Sequence, residues 1–245
     1  MFLKLPYFLK KYSIQKHLKT SKLNLHPVIA IDGYASTGKS TLSKMLSSHF
    51  QIPFIDSGAF YRGITFFALK KGFINNDKLD QLLLNDALDT LNLSYDTESG
   101  NLYLNGKNIS NKIRLPDVSN NVRLIAGLTF VRKFLLRQLR NISSQNGLVI
   151  DGRDIGTVVF PNAEYKFFFS ARPEVRARRR YEELQTKGQN STFQDVLNNI
   201  ILRDETDISR DIAPLKKAND AFEIDTSDLS KEEVFDILLK KINCK

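Results

Sequence analysis

The sequence predicts an α/β protein, a three-layer α/β/α sandwich built on a parallel central sheet. Three observations carry this. Short apolar runs alternate with stretches of helical periodicity, the first run leads at once into a glycine-containing loop and an amphipathic segment, and the rhythm breaks only around residues 80–110. A run of three or four apolar residues without polar alternation marks a strand buried on both faces. Such strands belong to a sheet covered by helices on both sides.

Residues 28–31 (Val28, Ile29, Ala30, Ile31), ending in Asp32, are the first expected strand. Leu42, Met45, Leu46, His49 and Phe50 then recur at helical spacing. Residues 52–55 read as the second strand, with Pro53 suited to its start. Residues 148–150 and 167–169 are two further buried strands and 222–224 the last. Ser230 and Glu233 then form an S-x-x-E capping box that opens a C-terminal helix. In the irregular middle, residues 93–95 and 102–104 flank a polar stretch containing Gly100, and Asn105-Gly106 is a second turn signal, so a small β-containing insertion is expected there. One core with inserts suits 245 residues better than two independent domains.

Composition excludes several classes. No run of eighteen apolar residues exists, so no spanning helix is expected. A single cysteine, Cys244, rules out an internal disulfide and a cysteine-based metal cluster, and fits a cytoplasmic protein. His17, His26 and His49 lie outside every motif, which disfavours a Ser-His-Asp or zinc-histidine chemistry. The net charge of +9 is concentrated at the start: residues 1–27 carry six lysines and no acid, leaving +3 for the remainder. Residues 1–26 read as a basic extension, either solvated or weakly surface-binding, because Phe2, Leu3, Leu5, Phe8, Leu9 and Tyr12 alternate with lysines. Lys4 interrupts the apolar stretch and no small-residue cleavage site follows, so a secretory signal is not expected.

Gly33-Tyr34-Ala35-Ser36-Thr37-Gly38-Lys39-Ser40-Thr41 matches G-x-x-x-x-G-K-[ST], the P-loop, between a buried strand and an amphipathic helix. The glycines let the backbone turn its N–H groups on a polyphosphate, and the helix N-terminus adds partial positive charge. Lys39 supplies a full charge at the β- and γ-phosphates, and Ser40 a hydroxyl for Mg²⁺. Asp56-Ser57-Gly58-Ala59-Phe60-Tyr61-Arg62 starts at the end of the second strand, where open α/β sheets bind ligands. Arg62 suits a bidentate phosphate contact, while Ser57, taken alone, has a helix N-cap as its lesser alternative reading. Asp151-Gly152-Arg153-Asp154 emerges at the same edge, its carboxylates open to Mg²⁺ water ligands, to substrate or to helix capping. Arg203, Asp207 and Arg210 share a helical face if the helix runs that far, either as a site or as a surface ion-pair face. Arg172, Arg176, Arg178, Arg179 and Arg180 form the densest positive cluster, after Pro173; closure over ATP phosphates suits the other motifs better than nucleic-acid binding.

In order and spacing these segments resemble bacterial cytidylate kinases over about residues 27–240. The most specific pieces are the segment from Asp56 to Arg62, Asp151-Gly152-Arg153-Asp154-Ile155-Gly156-Thr157-Val158-Val159-Phe160-Pro161, and Arg203-Asp204 through Pro214. The resemblance implies a core (27–58 and 145–245), a nucleoside-monophosphate-binding insertion (about 59–140) and a mobile lid (about 172–190). It implies that Ser57, Arg132, Asp154 and Arg210 read the cytosine ring, that Arg62 and Arg153 grip the CMP phosphate, and that Arg203 and Asp207 meet the sugar. Lys39, Asp151, Arg153 and Arg179 are the expected catalytic set. ATP and Mg²⁺ are the expected cofactors and CMP and dCMP the substrates. A monomer is expected, with no nucleic-acid partner and no integral membrane contact. Arg123 stands where the family tends to have a small hydroxyl residue near the pentose.

Overall fold

The computed structural model describes residues 27–142, 147–186 and 188–244. The basic segment 1–26 lies outside the described residues.

The chain begins with β1 (Val28–Gly33) and α1 (Lys39–Phe50), followed by β2 (Phe54–Asp56) and α2 (Ser57–Lys70). Two small antiparallel sheets follow: β3 (Ile74–Asn75) with β4 (Lys78–Leu79), then, after α3 (Gln81–Leu88), the trio β5 (Leu93–Asp96), β6 (Asn101–Leu104) and β7 (Lys107–Asn108). The turn signals of the sequence therefore sit between β5 and β6 and between β6 and β7, where Gly100, Asn105 and Gly106 adopt positive φ. A 3₁₀ turn (Lys112–Arg114) leads to α4 (Pro116–Ala126), which opens with proline at its first turn, and α5 (Thr129–Ile142). Then come β8 (Leu148–Asp151), a π turn (Ile155–Val159), β9 (Tyr165–Ser170), α6 (Pro173–Thr186), α7 (Phe193–Ser209), β10 (Phe222–Asp225) and α8 (Lys231–Asn243). Ser230 and Glu233 form the capping box of α8.

Five strands build one sheet in the order β10-β9-β1-β8-β2, every pairing parallel. Side-chain parity explains the layers. Ile29, Ile31, Phe54 and Val149 face α1 and α8, packing with Leu42, Leu46, Val234 and Leu238. Ala30, Ile55, Leu148 and Ile150 face the other way, against Phe60, Ile64 and Leu135. The interior strands are apolar at consecutive positions because both faces are covered. With β1 central, its C-terminal end and those of β2 and β8 share one edge, which is where the motifs meet. Among the described residues no helix is long and apolar enough to cross a membrane.

Several strand boundaries differ from expectation: β8, β9 and β10 run one to three residues longer, and β2 and β1 shift for identifiable reasons. β2 starts at Phe54 rather than residue 52, because the chain is still closing α1 there: Gln51 is left-handed (φ 54°) and the Ile52 N–H donates to Ser47 O. Pro53 contributes only its carbonyl, which accepts from Val149 N–H at 2.8 Å. β1 extends past Ile31 to Gly33, since its pairing with β9 continues to Phe169.

Candidate functional site

The loop after β1 is shaped by two glycines. Gly33 has φ 141° and lies so close to β9 that a Cβ there would stand 2.1 Å from Phe169 O; Gly38 has φ 89° and caps α1. Only glycine takes both conformations without strain. Thr37 braces the loop by donating to Tyr34 O at 2.9 Å. Lys39 is buried at the start of α1 with its ammonium donating to Tyr34 O and Thr37 Oγ1. Burial, and then the Arg153 charge, hold that ammonium well below the usual lysine range. The adjacent Ser40 donates to Asp151 Oδ2 at 2.5 Å, so the start of α1 and the end of β8 are joined by two oxygens. Burial, reinforced by the nearby Asp56 carboxylate, pushes Asp151 up to about 7.

Asp56 and Asp151 are register partners at the ends of β2 and β8. Asp56, not Ser57, is the N-cap of α2: its carboxylate accepts from Ala59 N–H at 3.1 Å and from Arg62 at 2.6 Å. Burial opposes ionisation of Asp56, and the Arg62 and Arg114 charges more than reverse it. Ser57 is the first helical residue and is buried; its hydroxyl donates to Asp151 O at 2.6 Å. Its contact lies at the site edge, across 94 residues of chain.

From β8 the chain turns through Gly152, Arg153 and Asp154. Arg153 donates to Asp207 Oδ2 at 2.8 Å, and Arg210 reaches the other oxygen of Asp207 at 3.5 Å. Burial works against ionisation of Asp207, but the charges of Arg153 and Arg203 keep it below the ordinary carboxylate range. The single helical face expected for Arg203, Asp207 and Arg210 is only partly realised. α7 ends at Ser209, and Arg210 is extended, with its Nε donating to Ala213 O at 2.6 Å. Arg132, buried on α5, pairs with buried Asp154 and donates to Ala126 O at 2.8 Å. The Tyr61 ring lies 5.5 Å from the Arg132 guanidinium carbon. Thus the predicted residues are held in four separate contacts beside the loop: Ser57 on Asp151 O, Arg62 on Asp56, Arg132 on Asp154, and Arg153 with Arg210 on Asp207, where Arg203 adds its charge. Arg123 stands apart, half exposed on α4 and 3.9 Å from an exposed Asp77.

The arginines after Pro173 do not form one basic face. Arg172 pairs with Asp228, Arg180 with Glu183, Arg178 lies over the Phe193 ring, and buried Arg176 pairs with Asp204 at 2.6 Å while covering the Tyr34 ring. Arg179 donates to Thr226 O at 2.6 Å, and Thr226 Oγ1 donates in turn to Thr37 O at 3.2 Å. A cavity of about 320 Å³ opens here beside the loop, lined by Thr37, Gly38, Thr41, Arg179, Thr226 and Leu229.

Sequence reasoning missed Tyr61, Thr226 and Asp32. Asp32 is buried, and its two oxygens accept the N–H groups of Ile155 and Gly156, both at 2.7 Å. Burial pushes its pKa up to about 6 despite those bonds. An acid inside an otherwise apolar strand run was the available signal for Asp32.

Ser40 and Asp151 offer hard oxygen donors side by side, the set that suits Mg²⁺ held together with phosphate oxygens. Residues 29–244 match the family model described as cytidylate kinase. The cytidylate kinase of Flavobacterium psychrophilum is 45% identical over 219 residues, covering 88% of this chain and 97% of its own. That of Clostridioides difficile is 45% identical over 218 residues (88% and 98%), and that of Bacteroides thetaiotaomicron 44% over 209 (84% and 91%). With its loop after β1 and its acid–arginine cluster at the ends of β2 and β8, this chain belongs to the cytidylate kinase family.

Proposed function

We propose that this chain transfers the γ-phosphoryl group of ATP to CMP and dCMP, giving ADP with CDP or dCDP. The observation that carries the reading is the juxtaposition at Asp151: its carboxylate meets Ser40 of the phosphate loop while its backbone carbonyl meets Ser57 of the acceptor side. In this reading the donor and acceptor sites share one residue.

The attacking atom is a phosphate oxygen of the acceptor, already largely ionised at neutral pH because the second phosphate pKa is about 6. No general base is needed. The work of the protein is to hold two polyanions in line and offset their repulsion. Lys39 and the loop N–H groups take the β- and γ-phosphates. Arg62 and Arg153 take the acceptor phosphate, leaving their present partners Asp56 and Asp207. Ser40 and Asp151 would hold Mg²⁺, which neutralises charge on the ATP phosphates when bound. The cavity bounded by Arg179 and Thr226 suits the adenine end of ATP. Asp154 and Arg132 read the base with Ser57 and Arg210, and Arg203 and Asp207 meet the sugar.

In this reading residues 27–58 and 145–245 are the core, about 59–140 the acceptor-binding insertion and about 172–190 the lid. The lid helix α6 packs on α7 through Ala177, Val196 and Ile200. Closure of the lid would exclude water and suppress idle ATP hydrolysis. Steady-state ADP release with CMP, dCMP, UMP, dTMP and shikimate as acceptors tests the assignment. CMP and dCMP should dominate; preference for any other acceptor overturns it.

A further inference from the structure

The turn that carries Asp154 is held by two charged side chains with no part in the reaction described above. Ile155–Val159 is a single π turn: Phe160 N–H donates to Ile155 O at 2.7 Å, and the N–H groups of Val158 and Val159 both donate to Asp154 O. Asp154 itself sits at φ −142°, ψ 26°, outside the helix and strand regions. A π turn is a wide, uncommon geometry, so surrounding contacts must hold it.

Those contacts are charged at both ends. At the start, the Asp32 carboxylate accepts the N–H groups of Ile155 and Gly156, one on each oxygen. At the far end, Arg140 donates Nε–H to Val159 O and an Nη2 hydrogen to Val158 O, both at 3.0 Å. Arg140 lies eight residues after Arg132 on α5, so one helix grips the Asp154 carboxylate with one arginine and the end of its turn with another. Charge-assisted bonds of this kind are shorter and stronger than neutral ones, and paired bonds fix direction as well as distance.

We propose that Asp32 and Arg140 are positioning residues for base selection: by fixing the turn 155–159 they aim the Asp154 carboxylate at the ring edge of the acceptor. This rests on the reading of Asp154 as the acceptor that recognises the base. Discrimination between an amine and a carbonyl on the ring depends on where that carboxylate points. A loosened turn lets it tilt or admit water, which lowers selectivity before it lowers phosphate chemistry.

Arg140 is exposed, and methionine retains its apolar stem, so Arg140→Met leaves the fold intact. The measurement is kcat/KM for CMP and for UMP, with KM for ATP and the melting temperature alongside. Arg140→Met should lower the CMP-to-UMP ratio at least ~5-fold, through a raised KM for CMP with KM for ATP within about twofold of wild type. Arg140→Lys should recover part of the ratio, since an ammonium can still donate to a carbonyl. Asp32→Asn should lower the ratio further, because its amide oxygen can accept one N–H while its NH₂ opposes the other; if that variant does not fold, the Arg140 pair decides. An unchanged ratio in Arg140→Met, with only a lower melting temperature, makes Arg140 structural and overturns the proposal. Asp154→Ala separates the two levels. If it leaves the ratio intact, the base reading itself fails. If it collapses the ratio and Arg140→Met does not, only the positioning role fails.

Discussion

Ser40 Oγ and Asp151 Oδ2 lie 2.5 Å apart, joining the first turn of α1 to the end of β8 across 111 residues of sequence. The hydroxyl is exposed and the carboxylate buried, so Asp151 meets one polar partner at the surface of an otherwise enclosed position. Its ionisation is costly in the folded protein because the carboxylate is buried.

That cost has a definite sign. Asp151 titrates at about 7 in the folded chain against 3.8 ordinarily. Between those values the folded protein keeps a proton that the unfolded chain has lost, so stability falls as pH rises from about 4 to about 7 and is level above. Asp151→Asn removes the ionisation. It should therefore raise the melting temperature relative to wild type more at pH 8 than at pH 5, while cutting phosphoryl transfer at least ~100-fold. Melting curves at the two pH values, with turnover measured alongside, check both halves. A variant that melts lower than wild type at pH 8 contradicts the burial cost assigned to the carboxylate.

Lys39→Ala should abolish transfer with the fold retained. The buried ammonium makes two hydrogen bonds within its own loop but is held against the Arg153 charge, an arrangement that favours anion binding over packing. Near-ultraviolet circular dichroism should match wild type. Retention of more than about a tenth of wild-type turnover is incompatible with a transition-state charge role.

The phosphate loop was legible because its residues are contiguous and its flanks announce a buried strand and a helix. The partners of those residues were less so. Asp56 and Ser57 sit side by side at a helix start, and either can serve as a cap; the choice depends on Asp151 O, which captures the Ser57 hydroxyl from 94 residues away. Arg210 looked helical by spacing, yet the helix stops one residue earlier and its guanidinium returns to Ala213 O. Asp32 read only as the end of an apolar run, because its partners are the backbone of a turn more than a hundred residues away, which no side-chain pattern reveals.

The first residue after β8, Gly152, has no room for a side chain. A Cβ there would stand 2.6 Å from Ser57 Oγ and 2.7 Å from the Ile155 side chain. Neither neighbour is free to yield, since Ser57 is bonded to Asp151 O and Ile155 is fully buried. Gly152→Ala should cost about 1–3 kcal/mol of stability by overpacking and raise KM for CMP more than KM for ATP. Denaturant melts with both substrate titrations test this, and equal effects on the two KM values would show that the turn serves both sites alike.

The base pocket makes the sharpest commitment. Cytosine carries an amine donor at C4 and an acceptor at N3, and uracil carries a carbonyl acceptor and an N–H donor at the same places. Buried Asp154 as acceptor, with Arg132 or Arg210 as donor, suits cytosine and opposes uracil. Each mismatch leaves a buried polar group unpaired, at roughly 1–3 kcal/mol. At about 2 kcal/mol in total, kcat/KM for CMP should exceed that for UMP by at least ~30-fold. Asp154→Ala should lower CMP efficiency and narrow that gap, while leaving Arg132 without its buried partner. Arg62→Ala should weaken both nucleotides alike, because the partner proposed for the Arg62 guanidinium, now paired with Asp56, is the acceptor phosphate that both share. Equal efficiency for CMP and UMP in the intact protein would point to a broader pyrimidine specificity. If Asp154→Ala lowered both substrates equally, its carboxylate would belong with Asp151 in the phosphate apparatus rather than in the base pocket.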